Sequence, residues 1–150
     1  MSGQGHGKLI LLGEHAVVWG CPAIAASLGA GASAMIRGES TNSRGEIRVF
    51  EQDRPETPLF TTAPDPDGVA PIERAMSVLM GHFPIDTPLD IDVTLAIPPG
   101  AGLGSSAALA VAIAHALDDF ASDGTRDKAA TASSGEDAVA ASEAIFHGNA

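Results

Sequence analysis

One stretch of this sequence concentrates groups that could do chemistry: Pro98-Pro99-Gly100-Ala101-Gly102-Leu103-Gly104-Ser105-Ser106-Ala107-Ala108, set between an alternating apolar segment and a long apolar run. A strand, a glycine-rich turn and a helix in that order gather unsatisfied backbone N–H groups at the positive end of a helix dipole, where an anion binds. Glycines let the backbone approach a ligand closely, and Ser hydroxyls can donate to phosphate or ligate Mg²⁺. Read alone, the loop fits equally well as a phosphate cradle or as a plain strand-to-helix turn with Ser105 or Ser106 as the N-cap. A Walker A loop needs Lys where Ser105 stands. The dinucleotide pattern G-x-G-x-x-A is met by Gly102, Gly104 and Ala107, with Asp123 21 residues after Gly102. Pro98-Pro99 nonetheless separates those glycines from the strand, and Asp123 follows a long helix directly. No Gly-x-Ser-x-Gly elbow occurs, which removes an esterase nucleophile.

Charge narrows the chemistry further. The 150 residues carry a net charge of -11 with eight Lys and Arg together, so the clustered cations of a nucleic-acid surface are missing. Only Lys8 and Lys128 are lysines. A bound phosphate must therefore rely on backbone N–H groups, a metal and a few chosen cations. Cys21 is alone and can form no internal disulfide. The start MSGQGHGKLILLGEH resembles neither a signal peptide nor a spanning segment, and the expected location is cytoplasmic. His6, His82 and His115 lack metal-ligand spacing, and no zinc is expected.

The elements that must position these groups follow from periodicity. Lys8 to Leu12 reads as a short buried strand, and Ala16-Val17-Val18-Trp19 as a second. Residues 23–37 read mostly as strand, because interspersed glycines disfavour a helix. Ile47 and Val49 alternate with charged neighbours in a half-exposed strand, and residues 53–68, with Pro55, Pro58, Pro64 and Pro66, read as a surface loop. Pro71 opens a helix whose apolar positions Ile72, Ala75, Met76, Leu79 and Met80 continue to Gly81. Leu89, Ile91, Val93 and Leu95 alternate with Asp90, Asp92 and Thr94 in a strand with one wet face. Ser106 to Phe120 predicts a buried helix, residues 123–128 a polar link, and Glu136 to Phe146 a further helix, acidic at its start.

Gly7-Lys8-Leu9-Ile10-Leu11-Leu12-Gly13-Glu14-His15-Ala16-Val17-Val18-Trp19-Gly20, taken with the glycine loop and with Glu143-Ala144-Ile145-Phe146-His147-Gly148-Asn149-Ala150, resembles the GHMP family of small-molecule kinases, and within it the mevalonate kinase branch. Three motifs in the family's order span nearly the whole chain. The resemblance implies an α+β fold, the N-terminal lobe of a two-lobed kinase related to a ribosomal-protein domain. The activity it implies is transfer of the ATP γ-phosphate to the 5-hydroxyl of mevalonate, a step of isoprenoid biosynthesis. By matching position, Lys8 would act on the reacting hydroxyl and the γ-phosphate, and Glu14 and His15 would line the acceptor pocket. Pro99, Gly100, Ala101, Gly102, Leu103, Gly104, Ser105 and Ser106 would wrap the ATP phosphates, and Ser106 with Glu143 would hold Mg²⁺.

The implied partners are thus mevalonate and ATP, with no nucleic acid and no membrane, and a homodimer is admitted. The family has Pro where this chain has His6, and often His or Tyr where Trp19 stands. Its His-Gly-Asn stretch continues into Ser-Gly-x-Asp, whereas this chain ends at Ala150. The expectation is an N-terminal ATP-binding domain over residues 1–150, truncated before the catalytic Asp motif and without the C-terminal lobe. Such a chain should have little kinase activity and should expose apolar surface. Other readings stay open: a phosphomevalonate, homoserine, galactose or other sugar kinase of the same family, a non-catalytic nucleotide-binding module, or an oxidoreductase.

Overall fold

The computed structural model describes residues 1–122, 136–141 and 144. Five strands form one sheet: β1 (Ser2–Leu12), β2 (Ile24–Glu39), β3 (Glu46–Glu51), β4 (Phe60–Thr62) and β5 (Leu89–Leu95). Helices α1 (Pro71–Gly81) and α2 (Ser105–Ala121) pack on one face, and a single 3₁₀ turn spans Ala16–Trp19. The strand order is β1-β2-β5-β3-β4, antiparallel throughout except for the parallel neighbours β3 and β5. This is the α+β architecture that the resemblance implies.

Alternation decides which face is dry. Leu89, Ile91, Val93 and Leu95 of β5, with Ile47 and Val49 of β3, point into the core and meet Ala75, Met76 and Leu79 of α1 and Ile113 and Leu117 of α2. Between them Asp90, Asp92, Arg48 and Phe50 form the open face. There Arg48 pairs across the parallel register with Asp92, donating from Nε and Nη2 to the two carboxylate oxygens at 2.8 Å each. That hydrogen bonding raises the Arg48 pKa above its ordinary value. Helix α1 starts where its sequence says: Pro71 occupies the first turn, and the Glu73 carboxylate accepts the Ala70 N–H at 3.0 Å.

Strand β1 is longer than expected from apolar content, because its first half reads SGQGHG. Glycine is a poor strand former, yet here tertiary packing requires it. Gly3, Gly5 and Gly7 are buried; Gly3 and Gly5 face α2, and Gly7 faces Ile97 and Leu103. A Cβ on Gly3 would overlap the Ala112 carbonyl oxygen, and one on Gly5 would overlap that of Ala108. The strand backbone thus lies directly on a helix surface made of Ala108, Ala112 and Ala116, all buried. Three further expectations need correction. Residues 16–19 form a 3₁₀ turn, not a strand; within residues 53–68, Phe60–Thr62 forms β4, zipped antiparallel onto Ile47–Val49; and α2 begins at Ser105 with Gly104 as N-cap. The helix expected over 136–146 is helical at 136–141 and 144, with Ala138 buried, and its remaining residues lie outside the described residues.

The far end of the β1–β2 hairpin runs past the core. Leu9, Leu11, Leu12 and Ile24 are exposed there, and Trp19 is 86% exposed. Apolar surface is therefore presented at this end, which corrects the reading of residues 8–12 as a buried strand.

The glycine face yields a direct prediction. Gly5→Ala should lower the stability to urea unfolding by about 1–3 kcal/mol, because a methyl group is forced against helix backbone that cannot recede cheaply. Gly29→Ala is the control: its Cβ would meet nothing within 4 Å. It should be neutral or slightly stabilising. Equal effects of the two would show that β1 does not depend on this close approach.

Candidate active site

The loop between β5 and α2 is shaped by three left-handed glycines, Gly100 at φ +75°, Gly102 at +72° and Gly104 at +71°. Alternating such residues with Ala101 and Leu103 turns successive peptide groups, the arrangement that makes backbone anion cradles. Gly104 is the N-cap of α2 and has no side chain to offer the first turn. The N-cap expected at Ser105 or Ser106 is thereby corrected to Gly104: both serines lie inside the helix's first turn, half-buried. The positive end of a 17-residue, largely buried helix opens toward the loop without a side-chain cap.

Lys8 is delivered to this point by β1. Its backbone N–H donates to the Leu103 carbonyl at 2.9 Å, clamping the edge of the strand to the loop. Its side chain crosses Gly104, where a Cβ would lie 2.8 Å from Lys8 Cγ and 3.5 Å from Lys8 Cε. A cation beside the positive end of a helix is electrostatically unfavourable, by roughly 0.3–1 kcal/mol at exposed sites. No carboxylate among the described residues forms an ion pair with it. In a chain of net charge -11, one of two lysines is thus held next to the first turn of α2, whose N-cap makes no side-chain hydrogen bond. An anion placed there would relieve the repulsion and satisfy both.

The other predicted residues are placed differently. Pro99 to Ser106 form the continuous loop and first helical turn. Glu14 and His15 lie in the exposed turn after β1, beyond the Leu12–Ile24 pair, and neither makes a hydrogen bond or ion pair with Lys8 or the loop. Glu143 lies outside the described residues. His6, His82 and His115 are spread over separate elements, each with its Nδ1 against a backbone carbonyl: Leu28 at 3.2 Å, Val78 at 2.8 Å and Gln4 at 2.9 Å.

Two hollows adjoin the loop. One, of about 140 Å³, is lined by Phe60, Ile72, Leu95, Pro99 and Leu109, with Ser105 and Ser106 at its rim. The other, of about 580 Å³, is an open crevice along Glu51 to Arg54 and Leu95 to Pro98. The larger one carries the carboxylates of Glu51 and Asp53 against one cation, Arg54, so its lining is net negative and disfavours phosphate. The smaller one is mostly apolar and takes Ser105 and Ser106 from the first turn of α2 into its lining. Phe60 and Ile72 were not among the expected site residues. An aromatic isolated in a proline-rich segment was the one signal in the sequence, and it acquires meaning only once β4 folds against β3.

Mg²⁺ is the metal that the resemblance implies. Among the described residues no group of three or more His, Cys, Asp and Glu could hold a metal. Mg²⁺ at phosphate sites needs only one or two protein oxygens beside the phosphates themselves, and a serine hydroxyl in the first turn of α2 is compatible with that demand.

Comparison with known proteins identifies the family of the domain. Residues 70–149 match the family of the GHMP kinases N terminal domain. Among curated relatives, the mevalonate kinase of Thermococcus sibiricus is 34% identical over 123 residues, 73% of this chain and 36% of that protein. That of Methanothermobacter thermautotrophicus is 36% identical over 115 residues, 75% of this chain and 34% of that protein. The chain thus spans little more than a third of the length of these relatives. Among solved structures, a mevalonate kinase from methicillin-resistant Staphylococcus aureus superposes with a TM-score of 0.60 at 30% identity, covering 92% of this chain and 44% of that one. A Lactococcus lactis galactokinase, at 20% identity and a TM-score of 0.58 over 91% of this chain and 36% of its own, shares the fold. With the family match over more than half of its residues, the chain belongs to the GHMP kinases, whose N-terminal domain it carries.

Proposed function

We propose that this chain is the nucleotide-binding portion of an ATP-dependent kinase that phosphorylates the 5-hydroxyl of mevalonate. The observation that carries the reading is Lys8 lying across Gly104, the N-cap of α2, which brings a cation to the positive end of that helix. The choice of mevalonate rests on the relatives, each a mevalonate kinase at 34% and 36% identity. The galactokinase likeness, being one of fold alone, does not compete with it.

In this reading Gly100 to Ser106 hold the β- and γ-phosphates through backbone N–H groups, and the apolar hollow of Phe60, Ile72, Leu95 and Leu109 takes the base. Phosphoryl transfer asks mainly for positioning and charge neutralisation. Lys8 supplies a positive charge where the transferring group becomes more accessible to the acceptor, stabilising charge that builds during transfer. Its ammonium also favours the ionised form of a nearby alcohol. Glu14 and His15, at the exposed turn after β1, contact and orient the acceptor, whose 5-hydroxyl must sit in line with the γ-phosphate. Ser106 and Glu143 would hold Mg²⁺, which would supply neutralisation of the phosphate oxygens. The location proposed is the cytoplasm, where ATP is available; no helix among the described residues is long and apolar enough to cross a membrane.

Two measurements test this. In calorimetric titration the chain should bind inorganic triphosphate and MgATP, and Lys8→Met should weaken triphosphate by about tenfold, equivalent to about 1.4 kcal/mol. MgATP should lose less, because the base keeps its apolar seat. In the whole protein, ADP release should require mevalonate, and His15→Ala should act mainly on the acceptor's KM. Equal triphosphate affinity in parent and Lys8→Met would remove Lys8 from the site.

The second concerns the serines. Ser106→Ala should raise the Mg²⁺ needed for half-maximal ATP binding by a few-fold or more, since a lost oxygen ligand is not fully replaced. Ser105→Ala should leave helix stability within about 0.5 kcal/mol of the parent, because it is not the N-cap. A loss near 1 kcal/mol for Ser105→Ala, with no change in Mg²⁺ dependence for Ser106→Ala, would favour the plain-turn reading.

A further inference from the structure

The three left-handed glycines of the loop share a backbone conformation and differ in what surrounds them. A Cβ on Gly100 or Gly102 would meet nothing within 4 Å, so conformation alone accounts for glycine there. Asn, which tolerates left-handed backbone, could stand in for either. At Gly104 a Cβ would come within 2.8 Å of Lys8 Cγ, closer than real Cβ contacts come. The obstructed atom is near the root of the lysine side chain, not at its flexible end. Relief therefore requires turning the whole side chain off its course. The Lys8 backbone cannot follow, because its N–H is bonded to the Leu103 carbonyl at 2.9 Å and Gly7 before it is packed 2.9 Å (as a virtual Cβ) from Ile97 Cδ1.

We propose that Gly104 is a positioning residue for Lys8: its bare Cα is the bed on which the lysine stem lies, and this directs the ammonium to the start of α2. The proposal rests on the kinase reading for the purpose of that placement. It goes beyond that reading in assigning the last glycine of the loop to the lysine and not to the phosphate. Any side chain at 104, even one that accepts left-handed backbone, turns Lys8 away. The loop and the catalytic cation are then one unit, built from two distant segments and adjusted by the absence of one methyl group.

The test uses the 150-residue chain, whose two lysines give few signals after carbon-13 reductive methylation, with Lys8 assigned through Lys8→Arg. Gly104→Asn is compared with Gly102→Asn, which imposes the same left-handed backbone without the obstruction. In the free chain, Gly104→Asn should move the Lys8 signal and Gly102→Asn should not. On addition of inorganic triphosphate, the Lys8 signal should respond in the parent but not in Gly104→Asn. Triphosphate affinity in Gly104→Asn should fall to that of Lys8→Ala, about tenfold below the parent, and the double variant Lys8→Ala with Gly104→Asn should lose no more. An affinity loss of the same size in both backgrounds would show that Gly104 serves the loop and would overturn the proposal. A parent that binds no triphosphate would sink the kinase reading instead. The positioning claim would then stand or fall on the free-chain signal, and it falls if both Asn variants leave Lys8 in the same place. Should Gly104→Asn fail to fold, recovery of folding on adding Lys8→Ala supports the obstruction, and no recovery overturns it.

Discussion

The contact on which the rest of this domain depends is backbone against backbone: the glycine face of β1 laid on the alanine face of α2. Gly3 and Gly5 sit where any Cβ would strike the carbonyls of Ala112 and Ala108. Because no side chains hold the two elements apart, the edge strand is drawn onto the helix. His115 reaches back from α2 to the Gln4 carbonyl at 2.9 Å, and Leu103 accepts from Lys8. An edge strand is a liability when its polar groups are free. Here part of that edge is occupied by the helix and its preceding loop, and the same contacts fix where Lys8 emerges.

Electrostatics explains why this placement matters in an acidic protein. With 19 Asp and Glu against eight Lys and Arg, the long-range field repels a polyphosphate. Attraction must come from short-range sources. The start of α2, the turned peptides of the glycine loop and one lysine provide three of them within a small region. Four arginines are engaged elsewhere: Arg48 and Arg37 with Asp92 on the open face, Arg44 with Asp65, and Arg74 with the carbonyls of Gly68 and Val69. Those pairs pin loops and strands, and they leave the focus at Gly104 to Lys8.

Most of the secondary structure was legible in the sequence because it rests on local pattern. The alternation of Leu89 to Leu95, the helical spacing after Pro71 and the unbroken apolar run after Ser106 each state a period that survives any packing. Misreadings fell where local preference was weak or overruled. Glycine-rich Ser2 to Gly7 has no strand preference of its own; Phe60–Thr62 is too short and too close to prolines to announce itself; Ala16–Trp19 is apolar enough for a strand but is one turn of 3₁₀ helix.

For the site, the sequence by itself determined the parts: a loop whose glycines allow left-handed backbone, serines where a helix begins, and a single lysine near the amino terminus beside a Gly-Glu-His turn. It also determined the family, through three motifs in order. Only the tertiary structure decided which parts meet. It put Lys8 over Gly104, left Glu14 and His15 on an exposed turn, made Gly104 and not a serine the N-cap, and closed an apolar hollow from Phe60, Ile72, Leu95 and Leu109. The physical reason is that local pattern records what each segment prefers for itself. The distance between two segments is set instead by what both lack, and here the absent side chains of β1 and Gly104 set it.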